Sequence, residues 1–196
     1  LGGGITNNGT IRALNGGTIA LQSNLTGGVG SQLVAGAGST ILQQGVTITG
    51  IVNTSGSGSL RADGNGNNYL SGVTLTGSLD LASGTSIERV VGNLALNGTI
   101  NIGNSSLLNF EGNQTLSGNG TILFVASGNN RVGVDGGSKT LTLDSGVTIR
   151  GGSGSIGLGQ LVNGSGNKLI NNGTISSDMA GGVITLQGLD GGITNN

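Results

Sequence analysis

Eight carboxylates are the groups in this chain best suited to chemistry: Asp63, Asp80, Glu88, Glu111, Asp135, Asp144, Asp178 and Asp190. Glycoside hydrolysis needs two such groups facing each other across a cleft. Enzymes that handle acidic sugars on a β-helix gather several Asp, Arg and Lys on one side. Here the acids are scattered, and no histidine is present to act as a base. Solvation of the surface accounts for them, so no catalytic residue is expected. A carbohydrate-active alternative would have to draw on Arg61, Asp63 and Asp80.

Metal chemistry is hinted at once. In "RADGNGNNYL" (61–70), Asp63, Asn65 and Asn67 alternate like the oxygen ligands that open a calcium loop. The pattern then lapses, because Asn68 stands where the loop needs glycine and Thr74 where it needs glutamate. "GGSGSIG" (151–157) likewise lacks the aspartate of the calcium-binding glycine-rich nonapeptide. These three residues are weak metal candidates in what reads as a protruding turn, and no cofactor is expected. Thr47-x-Thr49, Thr74-x-Thr76 and Thr140-x-Thr142 raise an ice-binding face. Such a face needs the triplet in most successive coils, whereas "TINI" (99–102) and "TISS" (174–177) interrupt it. Tyr69, Phe110 and Phe124 read as core filling or loop anchors.

The elements that must carry these residues follow from composition. Glycine supplies 44 of 196 residues, with no Pro, Cys, Trp or His. The absence of proline and of a Gly-X-Y triplet excludes collagen. Hydrophobic residues at 34% and a net charge of −1 argue against disorder. Without cysteine there is neither a disulfide framework nor a thiolate metal site. So few Lys and Arg leave no basic stripe for nucleic acid. No apolar run approaches the ~18 residues of a membrane helix, "TILFVA" (121–126) being among the longest, so membrane insertion is not expected. The chain starts at Leu1 without methionine, as a mature or excised segment would.

Short runs such as "GVTLTGSLDL", "KTLTLDSGVTI" and "GGVITLQG" alternate apolar and small polar residues at period two, the pattern of strands with one buried face. Asn-Gly, Gly-Asn and Ser-Gly pairs separate them and suit tight turns. One phrase, Gly-Thr-Ile with variants, ends at Ile11, Ile48, Leu75, Ile100, Ile122, Ile149 and Ile175. After a first gap of 37, which contains another candidate at Ile19, the gaps are 27, 25, 22, 27 and 26. The spacing predicts an all-β, right-handed parallel β-helix of about 7–8 coils of 22–27 residues, with those seven residues as a core ladder. Recurring Asn and Thr would stack at corners and satisfy turn backbone groups. A β-sandwich or barrel is the other β architecture compatible with short strands, but such folds usually use more large aromatics.

Several stretches, "ITNNGTIRALNGGTIAL" (5–21), "KTLTLDSGVTIRGGSGSIG" (139–157) and "LINNGTISSDMAGGVITLQG" (169–188), resemble filamentous-haemagglutinin-like adhesins and the repetitive passenger regions of autotransporters. The resemblance covers nearly the whole chain and lies in repeat style. It implies a secreted, cell-surface bacterial β-helix that forms a fibre or stalk. No Arg-Gly-Asp triplet is present, so no adhesive residue carries over.

The ends add one observation. "GGITNN" occupies 3–8 and again 191–196, each copy two places after a leucine, Leu1 and Leu189. The offset of 188 predicts that residues 1–188 are one repeat unit and 189–196 the start of the next. The absence of an obvious cap at either end agrees with continuation, because a bare solenoid end is an exposed sheet edge. The expected function is a structural module of an extracellular fibre, in adhesion, cell–cell contact or a matrix. Its partners would be neighbouring copies, together with cell-surface glycans or other cells.

Overall fold

Glycine- and asparagine-rich turns every few residues leave room only for short strands, and parallel stacking is what buries them. The computed structural model describes residues 3–125, 128–162 and 164–196. Leu1, the leucine before the first "GGITNN", and Ala126, which ends "TILFVA", lie outside them. The described residues form a parallel β-solenoid of about nine turns with three faces and no helix. Each face is a column of strands in register, one rung per turn.

The first face carries β1 (Ile5–Asn7), β4 (Leu25–Gly27), the start of β7 (Thr47–Thr54), the start of β9 (Tyr69–Leu81) and the start of β10 (Ile87–Ile102). It continues through β11 (Leu107–Glu111), β14 (Arg131–Asp135), β17 (Gly154–Leu158) and β20 (Ile184–Gln187). The second face carries β2 (Thr10–Ala13), β5 (Gln32–Ala35) and the following parts of β7, β9 and β10. Above them come β12 (Gln114–Ser117), β15 (Thr140–Leu143), β18 (Lys168–Asn171) and β21 (Ile193–Asn195). The third face carries β3 (Thr18–Leu21), β6 (Thr40–Gln43), β8 (Ser59–Ala62) and the ends of β9 and β10. It finishes with β13 (Thr121–Phe124), β16 (Thr148–Gly151) and β19 (Thr174–Ser177).

Two sequence expectations are corrected by this register. The turn count exceeds 7–8 because the N-terminal coils are shorter than 22 residues in places. Down the third face the partners are Ile19, Ile41, Leu60, Leu79, Ile100, Ile122, Ile149 and Ile175, with steps of 22, 19, 19, 21, 22, 27 and 26. The seven residues read as one ladder also divide among the faces. Ile100, Ile122, Ile149 and Ile175 are consecutive rungs of the third face. Ile11 and Leu75 belong to the second, joined through Leu33 and Val52, and Ile48 stands on the first between Leu25 and Leu70. The physical reason is that Gly-Thr-Ile marks the start of a strand after a corner, and all three corners use it.

Inside the triangle Leu, Ile and Val from all faces make one continuous core, with Phe110 and Phe124 fully buried in it. Removing each large side chain from water contributes about 1.5–3 kcal/mol. Corners are closed by asparagine amides, as the composition suggested. Asn130 accepts from the Ser105 N–H and donates to the Ser153 carbonyl, and buried Asn167 accepts from Lys139 N–H while donating to the Val134 carbonyl.

Candidate functional site

The D-x-N-x-N stretch forms the corner between the third and first faces. Asp63 Oδ1 accepts from the Asn65 N–H at 3.0 Å and Asn65 Oδ1 from the Asn67 N–H at 2.9 Å. The alternation that resembles a calcium loop is thus two successive side-chain-capped turns. Asn68, the residue that breaks the calcium pattern, is fully buried beneath them. Its amide donates to Asp63 Oδ1 and to the Asp63 and Ile87 carbonyls, while its Oδ1 accepts from Gly45 N–H. Among the described residues no group of three His, Cys, Asp or Glu could hold a metal ion.

Coil stacking brings together acids that sequence distance had kept apart. Glu111 and Asp135 are register partners on the first face, and the Asn109 amide donates to both, at 3.1 and 3.2 Å. Arg89, one coil below, makes a bidentate pair with Glu111, packs 4.5 Å from the Tyr69 ring centroid and donates to the Gly66 carbonyl. The ion pair with Glu111 pushes the Arg89 guanidinium further above its ordinary range. Asp135 is fully buried and accepts from the backbone N–H groups of Leu161 and Val162. Sequence reasoning missed this cluster. Its signal was the 24-residue spacing of the two acids, which is one coil.

Two of the remaining acids have clear partners. Asp80 caps the turn at Ala82 and Ser83, and Asp178 pairs with Arg150. Arg61 and Asp80 are register partners on the third face, with Asp63 round the next corner. Glu88 points into the core with both oxygens unpartnered, as is the Oε1 of buried Gln43. Burial pushes its carboxyl well above the usual range. The nearby Arg89 backbone and the Gln43 amide oppose the shift without completing a hydrogen bond, and the charge of Asp63 adds to it.

Threonine pairs lie on more than one side. Thr47-x-Thr49 is on the first face, while Thr74-x-Thr76 and Thr140-x-Thr142 are on the second, three rungs apart with β10 and β12 between them. Phe110 and Phe124 are core residues, whereas Tyr69 is a half-buried outer residue beneath Arg89.

An outer groove of about 340 Å³ lies on the first face near the C-terminal end. Asn129, Arg131, Ser155, Gln160 and Gln187 line it. Among the described residues Arg131 makes no ion pair, so this groove offers one free cation among amides and a hydroxyl. Among the described residues no helix is long and apolar enough to cross a membrane. Comparison with known proteins gives no matching family model, no matching curated protein and no matching solved structure.

Proposed function

We propose that this chain is a structural module of an extracellular, cell-surface fibre of the filamentous-haemagglutinin-like kind, continued end to end by further copies. The observation that carries the reading is the continuous parallel stacking, which persists through register shifts at Ile48/Gly50 and Val91/Leu94. Three columns of parallel strands run from Ile5 to Asn195 over one core, with most acids spent on caps and ion pairs. Such a chain makes a rod, and each added coil lengthens it by about 4.8 Å. Recurrence of "GGITNN" supports a tandem array. Negative-stain imaging of the protein tests this: rods and end-to-end filaments are expected, and compact particles that remain monomeric at high concentration would refute it.

Adhesion has a specific candidate in the Arg131 groove, whose single cation and amides suit a carboxylate-bearing glycan. Titration with a galacturonate oligosaccharide should show binding that Arg131→Ala abolishes. The carbohydrate-active alternative is favoured only by the Glu111–Asp135 pair. Against it, Asp135 is closed over by the Leu161 and Val162 amides and has no room for a sugar ring.

A further inference from the structure

The two copies of Gly-Gly-Ile-Thr-Asn-Asn do not occupy equivalent places in the solenoid. Ile5–Asn7 is the first rung of the first face, and Leu25 stands on Ile5. Ile193–Asn195 is the last rung of the second face, standing on Leu169–Asn171. Eight steps climb the first face from β1 to β20, and β21 lies one face further on. We infer that the 188-residue period spans eight and one-third turns, so that the next copy stacks on the C-terminal end of this one rotated by one face. The inference rests on the tandem-array reading above.

Local structure explains how one sequence serves two faces. The Asn-Asn-Gly corner has the same geometry in both settings. Gly9 N–H donates to Asn7 Oδ1 at 3.1 Å, turning the chain from first to second face. Gly173 N–H donates to Asn171 Oδ1 at 3.2 Å, turning it from second to third. Asn195 and Asn196 stand directly on Asn171 and Asn172, with side-chain bonds of 2.7 Å in each pair. A corner following Asn196 therefore leads to the third face.

In the recurrence, Asn8 is followed by Gly9-Thr10-Ile11-Arg12-Ala13. Laid on β19, these residues put Thr10 on Thr174 and Ile11 on Ile175. That extends the threonine row Thr121, Thr148, Thr174 and the isoleucine row Ile122, Ile149, Ile175 already running down that face. Every face has an apolar residue left unfinished at this end, among them half-buried Ile175, Leu186 at 47% exposure and Ile193 at 37%. The second copy covers all three, its Leu25 standing on Ile193 as Leu25 here stands on Ile5. The same face returns only after three copies, about 120 Å along the fibre. Any group carried once per copy, such as Arg131, is then displayed on all three sides of the rod.

The test joins residues 9–196 of a second copy directly after Asn196. The natural chain has no cysteine, so introduced thiols are the only ones. Ser176→Cys in the first copy and Arg12→Cys in the second should become neighbours on adjacent rungs about 4.8 Å apart, within disulfide reach. That Arg12 position follows Thr194 by six residues, too few for a coil, whereas unrotated stacking would return Leu25 of the second copy to the first face over Leu186 and place its Thr26 over Gln187. Arg150→Cys with Ser176→Cys, register partners within one copy, reports that the solenoid has formed. Oxidative closure of the Ser176 pair, and not of a pair made by Gln187→Cys in the first copy with Thr26→Cys in the second, supports the rotation. Closure of the Gln187 pair alone overturns the rotation and keeps the array. If neither closes while the Arg150 control does, the copies do not stack and the array itself is refuted.

Discussion

Asn68 carries more of its corner than any charged residue nearby. It satisfies three acceptor contacts and one backbone N–H from a fully buried position. Asn68→Ala strands those groups without water, at about 3 kcal/mol. Asn67→Ala, exposed on the same turn, should stay within about 0.5 kcal/mol. Urea melts of the two variants make the comparison directly. Glu88 predicts a pH dependence of opposite sense to that of an ordinary paired carboxylate. Its folded-state pKa is raised, so the fold binds its proton more tightly than the unfolded chain does. The contribution is complete below the ordinary pKa of 4.5 and is lost as pH rises towards the folded value, at up to about 1.4 kcal/mol per pH unit. Asp63, whose charge opposes ionisation of Glu88, acts in the same direction. Glu88→Gln keeps the shape of the side chain while removing the titration. Thermal melts above pH 5 should show the native protein weakening with rising pH and the variant holding its stability.

At the scale of elements, glycine divides into two kinds. Gly98 lies inside β10, where an added Cβ would run into the Gly77 backbone of the coil below. Gly16 has φ +77° on an outer turn with open space around it. Gly98→Ala must push two rungs apart and should cost several kcal/mol, whereas Gly16→Ala meets only left-handed backbone strain, about 1–2 kcal/mol. Denaturation midpoints of both variants check the ranking. The same distinction explains what was legible in the sequence. Period-two runs such as Thr140–Leu143 and corner residues such as Asn171 and Gly173 announced parallel β coils, because strand alternation and turn chemistry are local. The phase of the coils was not local. Gly-Thr-Ile precedes Ile11, Ile100 and Ile175 alike, yet the first belongs to the second face and the others to the third. Only pairing across about twenty residues separates them. For the same reason the Arg89, Asn109, Glu111 and Asp135 cluster was invisible: its members come from three successive coils and span 46 residues of sequence.

Over the whole molecule, stability should grade along the axis, since each coil is held only by its neighbours. The central coils have rungs above and below and inward residues such as Leu75, Leu96, Ile100 and Phe110 wholly shielded. At the C-terminal end β20 and β21 are covered from one side, and Leu186 and Ile193 are open. Amide hydrogen exchange should therefore be slowest across residues 69–124 and fastest in 184–196, where local opening costs least. A cap that merely blocked solvent would slow exchange in the final rung alone. Stacking by a further copy adds a full set of ladder bonds, so protection should spread inward through β17 and β18. Measured on the two-copy chain, residues 184–196 of the first copy should exchange as slowly as the central coils. Unchanged fast exchange there would mean that the joined copies behave as independent rods, and that recurrence of the hexapeptide does not build a continuous solenoid.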